Sequence, residues 1–77
     1  MQNLFDQSKQ TIAMAISQRR KVLGLSQEDL ALAADIDRTY ISQLERKIAN
    51  PSLSILCKVA SVLKCDLVDL LNTKEII

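Results

Sequence analysis

An all-α fold of five short helices is what this sequence predicts, and three observations predict it. Gly and Pro occur once each in 77 residues, too few for the frequent turns of an all-β chain. Apolar residues recur at i, i+3 and i+4 in several short stretches, the spacing of one helix face. Between those stretches stand Ser, Asp, Gly or Pro, which start and stop helices.

The first helix is expected from near Ser8 to about Leu23. Ile12 and Ile16, with Ala13 or Ala15, keep an i, i+4 row that Arg20 continues. Gly24 follows and suits the left-handed residue that closes a helix. Ser26-Gln27-Glu28-Asp29 is a near capping box, with Ser as N-cap and acids at the next positions to complement the helix dipole. Leu30, Ala33 and Ala34 give the second helix its apolar stripe, and Asp35-Ile36 interrupts it. Asp37 is a further N-cap. Beyond it Tyr40, Ile41 and Leu44 keep the helical rhythm, while Arg38, Thr39, Ser42, Gln43 and Arg46 fall on the other face. Ala49-Asn50-Pro51 is a loop. The fourth helix is expected over Ser52 to Lys64, with Leu53, Leu56, Cys57, Ala60 and Leu63 facing inward. Asp66 caps a short last helix carrying Leu67, Leu70 and Leu71. With no repeat, low-complexity run or linker, residues 1–77 read as one domain. Its motif core lies at about 26–47 and its last helix at about 66–72.

Composition excludes several function classes. His is absent, which removes His-based triads and His-containing zinc sites. No nucleophile–base set, metal cluster or phosphate-cradling Gly loop is present, so the chain is not expected to be an enzyme, nor to need a cofactor, metal or small-molecule ligand. No apolar run approaches the ~20 residues of a membrane span, and Met1 to Gln10 lacks a signal-peptide core. Cys57 and Cys65 on one helix would lie ~12 Å apart, too far for a disulfide. They read as reduced thiols of a cytoplasmic protein. The core is aliphatic, with 12 Leu and 8 Ile but only Phe5 and Tyr40 as aromatics. A core this small supplies only ~3–5 kcal/mol, so self-association is expected.

Net charge is +1, but the charge is not evenly spread. Residues 1–25 hold Lys9, Arg19, Arg20 and Lys21 against Asp6, and residues 38–64 hold Arg38, Arg46, Lys47, Lys58 and Lys64 against Glu45. Two basic stretches can build one basic face on a nearly neutral chain. The middle helices carry the features of a helix-turn-helix: two short helices, a tight turn, and a second helix with a polar face. Gln27 sits at the first turn of the leading helix, beside backbone amides that attract anions. Ala31 and Ala34 are small where helices must approach closely. Arg38, Thr39, Ser42 and Gln43 are candidate base readers, because Arg pairs with guanine, Gln with adenine, and Thr packs on the thymine methyl. Arg46, Lys47 and Asn50 are candidate phosphate ligands. Ser26 and Asp29 have the spacing of a cap and not of a catalytic pair.

Leu23-Gly24-Leu25-Ser26-Gln27-Glu28-Asp29-Leu30-Ala31, Tyr40-Ile41-Ser42-Gln43-Leu44-Glu45-Arg46 and Asn50-Pro51-Ser52-Leu53 together resemble the phage-repressor/Cro-like (XRE-type) helix-turn-helix family. The likeness covers roughly residues 12–72. Asp37-Arg38-Thr39-Tyr40-Ile41-Ser42 is also similar to the restriction–modification controller proteins of that family. The resemblance implies a compact five-helix, lambda-repressor-like domain that binds a palindromic operator as a homodimer. It puts Gln27 on a phosphate and Gln43 on a base edge. Arg38, Thr39, Tyr40 and Ser42 would lie at or next to the bases, with Tyr40 on the backbone side. Arg20 would reach Glu45 as a structural ion pair. The family often dimerises through its last helix, here Leu67, Leu70 and Leu71, and Ile76 with Ile77 would extend that surface. Asp35 stands where the family commonly has Gly or Asn. Asp is among the better non-Gly residues for a left-handed conformation.

The expectation is therefore a sequence-specific regulator of transcription, at the nucleoid, with helix 37–47 in the major groove of an inverted-repeat operator in double-stranded DNA. Two rivals remain at this point. A helix-turn-helix-like protein-interaction module would more often show apolar anchors or acids on the face that is here acid-free. An antitoxin-type autorepressor would usually carry a longer segment after Asn72.

Overall fold

The computed structural model describes residues 3–72. Its elements are α1 (Leu4–Val22), α2 (Gln27–Ala34), α3 (Arg38–Glu45), α4 (Leu53–Val62) and α5 (Leu67–Leu71), with no strand among the described residues. The first helix begins about a turn earlier than the sequence reading put it. Asn3 is its N-cap, and the Asn3 side chain accepts from the Asp6 amide at 2.8 Å. The second starts as expected, with Ser26 Oγ accepting from the Asp29 amide and Asp29 returning the bond to the Ser26 amide.

Four helices end in one way. The chain turns through a left-handed residue, Gly24 (φ 74°), Asp35 (φ 57°), Lys47 (φ 65°) or Lys64 (φ 60°). In each case the next amide reaches back to the helix: Leu25 to Arg20, Ile36 to Ala31, Ile48 to Gln43 and Cys65 to Ala60, all at 2.9–3.0 Å. This is the Schellman closure, which satisfies the last carbonyls and turns the chain sharply. Only one of the four positions is glycine, so three carry the cost of a Cβ in left-handed backbone.

These tight turns fold the helices around one core. α1 packs on α3 and α5, α2 on α3 and α4, and α4 on α5. Ile16, Leu30, Ile41, Val59 and Leu70 are fully buried at its centre. Ala13 and Ala15 are both buried on α1, and Ala31 and Ala34 let α2 approach its neighbours closely. Two expectations for α4 are corrected. Leu53 is 65% exposed and Cys57 is exposed, whereas Val59 is buried. The inward row is Leu56, Val59, Ala60 and Leu63, at i, i+3, i+4 and i+7. Cys57 lies about 100° around the helix from Leu56, and Leu53 sits on the first turn, at the rim. The helix also stops at Val62, short of Lys64.

Leu70 requires a further correction. Expected at a surface between two chains, it has no exposure at all within one chain and belongs to the core. On α5 the outward apolar residues are Val68 (70% exposed) and Leu71 (48%), with Leu67 half-buried. Ile76 lies outside the described residues.

Candidate nucleic-acid interface

α2, the turn Asp35-Ile36-Asp37 and α3 form the helix-turn-helix unit. Left-handed Asp35 reverses the chain, Ile36 packs against the core, and Asp37 caps α3 by accepting from the Thr39 amide at 3.1 Å. α3 is anchored by Ile41 and Leu44, which are buried, and by the half-buried ring of Tyr40. With those residues turned inward, helical geometry sends the others outward, Glu45 excepted. Thr39, Gln43 and Arg46 form one outer row and Arg38 with Ser42 an adjacent one. Arg38, Thr39 and Arg46 are exposed, and Ser42 and Gln43 are half-buried. Among the described residues, none of these five side chains makes a hydrogen bond or ion pair within the chain. Lys47 and Asn50 are exposed just beyond the end of α3.

The orientation of α3 is fixed by Glu45 on its inner edge. Arg20 Nε donates to Glu45 Oε2 at 2.7 Å and Arg20 Nη2 to Oε1 at 3.0 Å, while Nη1 donates to the Leu25 carbonyl at 2.8 Å. The two side chains are only 11% and 8% exposed. Burial alone pushes the Glu45 carboxyl up, but the bonds from Arg20 and Gln27 and the nearby Lys21 charge outweigh it and hold the group below its usual range. The bond to Glu45 in turn raises the Arg20 guanidinium. The pair ties together α1, the turn after it, and the end of α3. It also neutralises the acid of α3, so the outer face of that helix is free of negative charge.

Gln27 takes part in this arrangement, which the sequence did not disclose. Its Nε2 donates to Glu45 Oε1 at 3.1 Å. Expected as a phosphate ligand at the start of α2, it is half-buried and linked to α3. Its amide oxygen and second N–H are not used in that bond. No signal in the sequence joins residues 27 and 45; the contact needs the N-terminus of α2 to lie over the C-terminal end of α3.

Other chemistry is sparse. No group of three or more His, Cys, Asp or Glu could hold a metal among the described residues. Burial pushes the Cys65 thiol up, which suppresses its thiolate. Among the described residues, no helix is long and apolar enough to cross a membrane.

Known proteins resemble both the sequence and the fold. The helix-turn-helix family profile HTH_3 matches residues 16–70. The HTH-type transcriptional regulator SinR of Bacillus licheniformis is 40% identical over 65 residues, covering 83% of this chain and 59% of SinR. The control protein C.SmaI of Serratia marcescens is 38% identical over 64 residues, covering 83% of this chain and 76% of C.SmaI. The crystal structure of the restriction–modification controller protein C.AhdI from Aeromonas hydrophila superposes with a TM-score of 0.78 at 32% identity, covering 80% of this chain and 94% of that one. The chain thus spans about three-fifths of SinR and most of the controller proteins.

Proposed function

The chain belongs to the XRE-type helix-turn-helix family of DNA-binding transcription regulators, and from that premise we propose that it reads a specific operator as a homodimer. One observation carries this reading. The outer face of α3 holds Arg38, Thr39, Ser42, Gln43 and Arg46, none of them used by the fold among the described residues, and the one acid of the helix is locked against Arg20. A polar, donor-rich, acid-free helix face of this size suits the major groove.

In this reading Arg38, Thr39, Ser42 and Gln43 meet base edges, and Arg46, Lys47, Asn50 and Tyr40 flank them on the backbone. Gln27 donates to a phosphate with the N–H that Glu45 leaves over. The Gln27–Glu45–Arg20 link then connects a phosphate contact to the helix that reads bases, so that backbone register and base register are set together. The two-fold axis spaces the half-sites ~10–10.5 bp apart or a multiple of it. Exposed Val68 and Leu71 with half-buried Leu67 on α5 support self-association through that helix. Regulation is steric and follows protein concentration, because dimer formation and operator binding are coupled.

The test is selection from a random duplex library at ~150 mM salt, where binding through phosphates alone is penalised. Enrichment of an inverted repeat is the expected result. A folded protein that enriches nothing refutes the reading and favours a protein-docking module. A single unrepeated half-site refutes the dimer alone.

A further inference from the structure

Lys9 lies outside the segment 16–70 matched by the family profile, on the first half of α1. It nevertheless meets the far end of the helix-turn-helix. Lys9 and Ile12 from α1 line a narrow cleft with Leu44, Lys47, Ala49 and Pro51 from α3 and the loop after it. An adjoining cleft of about 210 Å³ is lined by Asp6, Lys9, Gln10 and Lys47. Both lysines therefore border the same space. Neither is ion-paired among the described residues, where Arg20–Glu45 is the one salt bridge. The Lys9 ammonium is held 5.2 Å over the ring of Phe5, a cation–π contact that orders it without neutralising it. Asp6 is the single carboxylate lining this space, so the clefts keep a positive balance.

We propose that Lys9 and Lys47 form a two-lysine clamp for a DNA phosphate at the C-terminal end of the recognition helix, outside the bases that α3 reads. The inference rests on the DNA-binding reading above and extends the footprint to α1. The geometry has a clear logic. Lys47 follows α3 directly, where the backbone leaves the groove and meets the strand. Lys9 approaches that point from a separate element, packed against it through Ile12 and Leu44. Two ammonium groups from two elements fix one phosphate more firmly than either alone, and thereby set how deeply α3 enters the groove.

The experiment is the salt dependence of operator binding for the full chain, comparing Lys9→Gln, Lys9→Arg and Lys64→Gln. Each phosphate neutralised contributes about 0.9 to the slope of log K against log salt. Lys47 alone does not hold the phosphate once the second ammonium is gone, so in a dimer Lys9→Gln is expected to lower the slope by ~1.8, and affinity at ~150 mM salt by on the order of 30-fold if the phosphate contribution vanishes at 1 M. The loss should be equal on operator and random DNA. Lys9→Arg should keep the slope, and Lys64→Gln, at the other end of α4, should match the wild type. An operator-binding wild type whose slope is unchanged by Lys9→Gln overturns the clamp and leaves the DNA reading standing. An equal drop with Lys64→Gln also overturns it, since the effect is then one of overall charge. A wild type that binds no DNA removes both.

Discussion

Arg20→Met is the most informative perturbation of this fold. It removes three hydrogen bonds at once, of 2.7, 3.0 and 2.8 Å, and leaves a carboxylate that is only 8% exposed. Removing one partner of a buried pair costs about 3–5 kcal/mol, mainly through the charge left behind. Gln27 still donates to Glu45 in the variant, which puts the expected loss at the lower end, ~3 kcal/mol. A core of this size provides ~3–5 kcal/mol in all, so the variant keeps only ~0–2 kcal/mol and is marginally folded in dilute buffer. Urea titrations in an osmolyte that raises both baselines bring it into range. Arg20→Met/Glu45→Leu removes the stranded charge and should recover a third or more of the loss, the signature of coupling in a double-mutant cycle. The pH dependence has a definite sign. Because the folded-state Glu45 carboxyl lies below its ordinary value, its stabilisation is complete above the unfolded value of ~4.3 and disappears as pH falls through the lower folded value. In Arg20→Met, burial without the guanidinium raises that carboxyl instead, so acid relieves the variant. The gap between wild type and variant should therefore narrow from pH 7 to pH 3.5. A loss under ~1 kcal/mol, strictly additive single mutants, or a gap independent of pH would each refute the reasoning.

Other consequences are simpler to check. Gln43→Ala should weaken operator binding by ~1–3 kcal/mol and relax one base position in a repeated selection, with random-duplex binding nearly unchanged; equal losses on both would exclude base reading by this side chain. Lys64→Gly replaces a side chain at φ 60° and should raise stability by up to ~1 kcal/mol, since relief of left-handed strain exceeds the entropy glycine adds to the unfolded chain; a lower urea midpoint would contradict this. Leu70→Ala should lower the urea midpoint by most of its wild-type value, because truncating a fully buried leucine costs ~2–5 kcal/mol of the ~3–5 kcal/mol available. Leu71→Asp should keep native helicity by circular dichroism and shift sedimentation to monomer, and an unchanged dimer would clear α5 of the interface.

The helix count, the Ser26 cap, the Gly24 stop and the turn at Asp35 were legible because each is written locally. An N-cap or a left-handed residue depends on its own few neighbours, and Asp and Gly announce it. Lys47 and Lys64 announce nothing, since lysine has no left-handed preference. Their only local trace is an apolar or near-apolar residue directly after, Ile48 and Cys65. The start of α1 was written in Asn3 and Asp6, an N-cap spacing, but Leu4 and Phe5 are exposed and add nothing to the Ile12–Ile16 row. Cys57 and Val59 are both apolar, so the inward face of α4 had two readings until Leu56, Val59, Ala60 and Leu63 were seen in register. α5 is one turn long, too short for periodicity to tell the buried Leu70 from the outward Val68 and Leu71. The link from Gln27 to Glu45 was invisible for a different reason. It depends on how two helices cross, which no local spacing encodes.

A net charge of +1 looks weak for a protein that meets a polyanion, and the placement of the acids resolves this. Glu45 is neutralised by Arg20. Asp29 and Asp69 accept backbone amides at the starts of α2 and α5, at 2.9 and 2.8 Å. Each of these charges is spent on a helix dipole or a guanidinium and contributes little to the field above α3. Asp37 is the instructive exception. It caps the recognition helix itself and offsets the positive end of that dipole. The N-terminus of α3 is thus a poor phosphate site, and Arg38 next to it is the group left to attract DNA there. The cationic side chains instead gather at the other end, Arg46 with Lys47 and Lys9 against the single acid Asp6. On the proposed reading, that cluster draws the C-terminal end of α3 toward the backbone, while its N-terminal half depends mainly on base contacts, with Tyr40 and Gln27 as its backbone contacts. If α3 reads the operator as proposed, phosphate binding orients the helix, and affinity is completed only where Arg38, Thr39, Ser42 and Gln43 find their bases.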